Sequence, residues 1–180
     1  MATTYDTAPE DIIALINETI TEYHPDLVEA DVHVSAILAY NDKTHPVKAG
    51  GYPALACIKN ISLKDRIKGM ADAEITIDAE AYKAMNELQQ KALIDHELYH
   101  LEVQRDKDDN IKTDDAERPK LRMKKHDYQF GWFREIALRH KQNSPEVLAA
   151  TFLWTSDANT FFINALKKDV AVPVSSSHDM

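Results

Sequence analysis

The 180-residue chain has one cysteine, Cys57. A lone thiol excludes an internal disulfide framework and makes a reducing cytoplasm the expected compartment. Positive charge is also scarce: 21 Lys and Arg against 30 Asp and Glu leave a net charge of -9. Obligate nucleic-acid binding rests on neutralising phosphates, so no obligate nucleic-acid partner is expected. A repair protease acting on DNA-bound protein is disfavoured for the same reason, since no basic, aromatic-rich tail is present. No apolar run approaches the roughly 18 residues of a membrane span. The opening MATTYDTAPED lacks both the basic start and the apolar core of an export signal, so no membrane association is expected. Internal repeats and long linkers are missing too. The expectation is a single domain over residues 1–172, large enough for one sizeable core, with a disordered tail over 173–180.

What is present reads as α+β. Pro9, Glu10 and Asp11 open a helix carrying Ile12, Ile13, Ile16 and Ile20, and His24-Pro25 should end it. Val32, Val34, Ala36 and Leu38 alternate as in a strand; PALACIKNI and AEITID, the latter residues 73–78, are two more. From Asp78 the period lengthens to that of a helix. Met85, Leu88, Ala92, His96, Tyr99 and Val103 form one row, and Ile94, Leu98 and Leu101 a second. Residues 105–119 are charged and aperiodic, an expected exposed loop or hairpin, and Leu121 and Met123 suggest a short strand. Further helices are expected from Asp127 and from Ser144. The sum is a small mixed sheet of about three to four strands packed on a central helix, with flanking N- and C-terminal helices.

The chemistry is concentrated in LIDHELYHLEV, residues 93–103. His96-Glu97-Leu98-Tyr99-His100 is an HExxH pattern, and on a helix its two imidazoles leave the same face one turn apart. Two neutral imidazoles so placed can ligate Zn2+, with a third protein ligand elsewhere and an open position for water. Glu97, beside the first histidine, is placed to act as general base. The competing reading makes them core histidines satisfied by local hydrogen bonds, which burdens one face with polar groups in need of partners. Glu102 would point away from the metal. His126 and Glu135 are candidates for the third ligand, with Asp127 and His140 in reserve or supporting roles, and spacing does not choose among them.

Two motifs together resemble the phage metallopeptidase family. Its helix of type L-I-D-H-E-L-x-H is matched by Leu93 to His100. Its downstream HD-x-x-x-F segment is similar to His126-Asp127-Tyr128-Gln129-Phe130, where the aromatic comes one residue early and Phe133 follows. Arg139-His140 is similar to the family's end to that helix, and the resemblance spans roughly residues 30–141. It implies a zincin-like fold and a zinc-dependent, phage-encoded peptidase working on protein or peptide, including host proteins, in the host cytoplasm. It makes His126 the third ligand with His96 and His100, and leaves Glu135 in reserve. It casts Asp127 as a residue that orients an imidazole. Arg139, beside the site, reads as an ion-pair residue that holds Asp127 or a substrate carboxylate, a structural pair being the favoured form. In zincin-like proteases the strand before the active-site helix is an edge that a peptide can extend. That role falls by likeness to Glu74, Ile75 and Thr76 of AEITID. The alternative function is a catalytically silent, zinc-stabilised phage protein that binds a host factor.

Weaker signals surround these. Lys120, Arg122, Lys124 and Lys125 read as a solvated strand face, and Tyr99 as a core residue rather than an oxyanion-stabilising hydroxyl.

Overall fold

The computed structural model of the chain describes residues 2–126, 134–141, 147 and 150. The chain divides into two compact units, 1–126 and 127–180.

The first unit runs β1 (Thr4–Thr7), α1 (Glu10–Tyr23), α2 (Pro25–Glu29), β2 (Val34–Tyr40), β3 (Lys48–Ala49), β4 (Tyr52–Pro53), β5 (Ala56–Asn60), α3 (Leu63–Arg66), β6 (Ala73–Asp78), α4 (Ala79–Lys83), α5 (Glu87–Tyr99), β7 (Leu101–Val103) and β8 (Leu121–Met123). In the second unit, α6 (Arg134–His140) falls inside the helix expected from Asp127. The helix expected from Ser144 is described only at residues 147 and 150, and the tail lies outside the described residues.

Four strands form one mixed sheet in the order β1-β2-β6-β5. β2 and β6 run parallel, with Ala36 opposite Ile75, and β5 is antiparallel to β6, with Ile58 opposite Ile75. Alternation then sends Ala36, Ile58, Ile75 and Ile77 to one face. They join Ile12, Ile16 and Ile20 of α1 and Ile94 and Leu98 of α5 in a single core cluster. The 3.6-residue repeat of isoleucine that signals α1 is therefore the stripe that buries it. Among the described residues, no helix is long and apolar enough to cross a membrane.

Three expectations need correction. The helix expected from Asp78 breaks into α4 and α5. Asn86 starts the second helix with a reciprocal capping box, its side chain accepting from the Gln89 N–H while Gln89 accepts from the Asn86 N–H. Second, the core-facing row of α5 is Ile94 and Leu98; Leu88 is 81% exposed and Tyr99 57%. Two apolar rows at helical spacing compete in the sequence; both end in core residues, Leu101 and Val103, and within α5 it is Ile94 and Leu98 that join the core cluster.

Third, residues 105–119 take the hairpin form of the two expected, bridged antiparallel at Arg105–Ile111 and Thr113–Pro119, but the segment is not wholly exposed, since Pro119 is buried. Asp106 and Asp114 each cap a tight turn, accepting backbone N–H groups from Asp108 and Asn110, and from Ala116 and Arg118. Asp109 and Glu117 take left-handed φ values of 66° and 58° to close these turns. The second turn is fastened to the sheet base by Asp72, 1% exposed, which accepts hydrogen bonds from Arg118 Nε (3.1 Å), Arg66 Nη1 (3.4 Å) and the His33 N–H (2.8 Å). Arg66 also pairs with Asp114 at 2.7 Å. Burial alone would raise the Asp72 carboxyl; Arg118, the His33 amide and Arg66 outweigh it and hold the group below the ordinary carboxylate range.

That depressed value fixes a sign. Asp72 contributes stability above its unfolded pKa of about 3.9, and the contribution disappears as pH falls through the lower folded value. Arg118→Ala should lower stability at pH 7 by about 2–3 kcal/mol, below the usual figure for breaking a buried pair because Arg66 remains. In denaturant titrations the gap between variant and parent should close as the pH falls through and below the ordinary carboxylate range. A gap independent of pH would show that Arg118 acts through packing alone.

Candidate metal centre

α5 carries the first two histidines to its C-terminal end: His96 lies in the last turn and His100 is the C-cap. Just beyond, β7 leaves the helix and pairs antiparallel with β8, Leu101 opposite Met123. That hairpin returns the chain to the helix end and delivers His126. The three imidazoles converge, with ring centroids 5.2 Å (His96 to His100), 5.1 Å (His96 to His126) and 4.6 Å (His100 to His126) apart. One ring nitrogen of each lies within 4.8 Å of the others, and the Nε2 atoms of His96 and His126 are 3.2 Å apart.

The donor set fits a metal ion. Two nitrogens at 2.0–2.1 Å from a tetrahedral zinc ion stand about 3.3 Å apart, close to the separation between His96 and His126. Three imidazoles meeting by nitrogen otherwise set acceptor lone pairs against one another. His100 is held in a defined tautomer: Nδ1 lies 2.7 Å from the Lys124 carbonyl oxygen and so donates to it, leaving Nε2 unprotonated toward the cluster. His96 is open to solvent on one side. Desolvation on the other, followed by the positive charge that His100 and His126 would carry, holds its imidazole below the ordinary value, against a weaker pull from Asp95. Neutral imidazole is the ligating form.

Glu97 differs from its neighbours in being 5% exposed. Burial pushes its carboxyl up, while His100 and a hydrogen bond from the Ile58 backbone amide pull the other way. The strand geometry explains that amide. Leu55 accepts from the Asp78 N–H and Ile61 donates to the Asp72 carbonyl, so odd-numbered residues of β5 face β6. Ala56, Ile58 and Asn60 therefore direct their backbone groups to the outer edge, where Ile58 meets Glu97.

A cleft of about 450 Å³ opens over these residues, bounded by His96, Glu97, His100 and His126, the edge strand β5 and the β3–β4 hairpin. The sequence expectation of Glu74, Ile75 and Thr76 as the edge is corrected here. β6 has β2 on one side and β5 on the other, its ladder is filled, and Glu74 and Ile75 are buried. β5 occupies the edge beside the site. Glu135 lies on α6 in the second unit, but its side chain, like all of Asp127, is outside the described residues; Arg139 is exposed on that helix.

Tyr99 belongs to the opposite side of α5. Lys124 Nζ sits 3.7 Å from its ring centroid, and both line a different cavity, so neither the core role nor an oxyanion role suits it. Of the basic cluster, Arg122 pairs with Glu102, as a solvated strand face requires. One contact had no sequence signal. The buried His24 imidazole Nε2 lies 2.8 Å from Asp95 Oδ1, tying the α1–α2 corner to the residue before His96.

Comparison with protein families matches residues 3–152 to a family described as "Putative phage metallopeptidase". The chain belongs to this family. The match is wider than the motif resemblance: it takes in α1 and the first strand, so the family signature covers the whole sheet and the metal cluster together. Neither the curated proteins nor the solved structures compared with the chain include a match. The family name implies a bound metal and hydrolytic activity, and the three histidines are the described residues that could hold the ion.

If His126 completes the ligand set, His126→Ala should weaken zinc binding by more than the roughly 100-fold upper range for loss of an outer-shell partner. Competition against a fluorescent chelator measures this, and unchanged affinity would place the third ligand elsewhere.

Proposed function

We propose that the protein is a zinc-dependent peptidase in which His96, His100 and His126 hold the metal and Glu97 is the general base. The observation that supports it most is the contrast within the cluster: three solvent-accessible imidazoles converge, and one buried carboxylate lies beside them at the floor of an open cleft. A purely structural metal site has no use for a buried carboxylate at its side. When bound, zinc supplies Lewis acidity, acidifying water and polarising a carbonyl.

The protein groups account for the rest. Glu97 takes a proton from the attacking water, and its raised affinity for protons, caused by burial, suits it to hand that proton to the leaving amine. The Ile58 amide keeps the carboxylate in place when it is charged. An extended peptide can pair with the outward backbone groups of Ala56 on β5, setting its carbonyl across the cleft. This geometry is compatible with protein or peptide substrates, with host proteins among them if the chain acts within an infected cell.

Glu97→Gln keeps the shape and removes the base. Turnover of a casein or peptide-library substrate should fall by about 10²- to 10⁴-fold while zinc stoichiometry stays the same. Undiminished turnover would remove Glu97 from the mechanism. A parent protein that holds zinc but cleaves nothing across a proteome-derived peptide library would favour the silent binding protein.

A further inference from the structure

The cleft wall is one-sided in its chemistry. Apart from the three histidines and Glu97, the described residues that line it carry no charge: Ala49 from β3, Ala54 and Leu55 from the link between β4 and β5, Ala56 from β5, Leu93 from α5 and Met123 from β8. Cys57 and Ile58 complete the wall. Burial holds the Cys57 thiol above its ordinary value, so at neutral pH it is a protonated, weakly polar surface. Placement matters as much as polarity. The three alanines stand where larger side chains would fill the space beside the metal cluster, and Leu93, four residues or about one turn before Glu97, lines the cleft beside it.

Resting on the peptidase reading above, we infer that the cleft selects substrates with an uncharged, branched aliphatic side chain at the residue next to the scissile bond. A carboxylate or ammonium entering the cleft away from the metal cluster and Glu97 would lose hydration with no oppositely charged partner among the described lining residues there. A polar uncharged side chain would leave hydrogen-bonding groups unmet. A leucine-like side chain loses nothing of this kind and gains contact with Leu55, Leu93 and Met123. Glycine or alanine at that position forgoes most of that apolar contact. The volume, about 450 Å³ for the whole cleft, has room for such a side chain beside the backbone that carries it.

The test uses binding, so it does not depend on turnover. Zinc-loaded full-length protein is titrated calorimetrically with three short peptide hydroxamates that differ only in the side chain nearest the chelating group: isobutyl, carboxyethyl or aminobutyl. Acetohydroxamate, which has no such side chain, reports access to the metal. The isobutyl compound should bind at least about tenfold tighter than either charged compound, and tighter than acetohydroxamate by a similar factor. Met123→Glu, at a partly exposed position, should move the preference toward the aminobutyl compound with zinc stoichiometry and circular dichroism unchanged.

Equal binding of the three compounds, tighter binding of a charged one, or no gain over acetohydroxamate would each overturn the inference and leave the metal site standing. Metal analysis before the titrations separates that result from failure of the peptidase reading. Protein that takes up no zinc would overturn both.

Discussion

Lys124 makes two backbone hydrogen bonds to a single residue, and the site depends on them. Its N–H donates to the His100 carbonyl, and its carbonyl accepts from His100 Nδ1, both at 2.7 Å. The second bond is a substitution forced by the chain's path. In an antiparallel pair continuing from Leu101 opposite Met123, the His100 amide would supply that donor, but it is already used in the last turn of α5, donating to the Glu97 carbonyl. The imidazole takes its place. One residue thus ends a helix, starts a hairpin and has its ring orientation and tautomer fixed by the strand that brings His126 back.

The rest of the fold serves that junction. α5 cannot shift along its axis without uncovering Ile94 and Leu98, both fully buried in the core shared with the sheet. The His24–Asp95 contact fixes its C-terminal half against the α1–α2 corner, and Asn86 fixes its start. Downstream, the capped turns and the Asp72–Arg118 pair shape the long excursion between β7 and β8, so that it acts as a brace to the sheet base and not a free loop. Glu97 is set by the edge strand instead, through the outward amide of Ile58. The imidazole cluster and the Glu97 carboxylate are therefore positioned by different parts of the unit, hairpin on one side and sheet edge on the other, with the cleft between them.

Much of this was legible in the sequence, and the failures share a cause. Isoleucines at 12, 16 and 20 specify α1 because their spacing is a local property of one helix. AEITID reads as a strand, and His96 and His100 as a one-turn pair, for the same reason. The break at Asn86 was missed because an asparagine cap looks like any polar helix residue until its partner Gln89 is seen turned back. Which row of α5 faces inward depends on what packs against it. That AEITID is interior and PALACIKNI the edge is a matter of strand order, decided by the parallel pairing of β2 with β6 across the intervening β5. Asp114 and Arg118 read as solvated charges in a polar stretch, whereas Arg118 pairs with the buried Asp72 and Asp114 with Arg66, partners distant in the sequence. His126 as third ligand came from family resemblance, and the hairpin geometry supplies its physical reason.

The claim that three histidines from two chain segments form an open metal site is tested most directly by the zinc K-edge X-ray absorption spectrum of the zinc-loaded protein. The account predicts a four-coordinate ion with three imidazole nitrogens at about 2.0–2.1 Å and one exchangeable oxygen ligand. Two imidazoles, or a shell closed by four protein ligands, would contradict it.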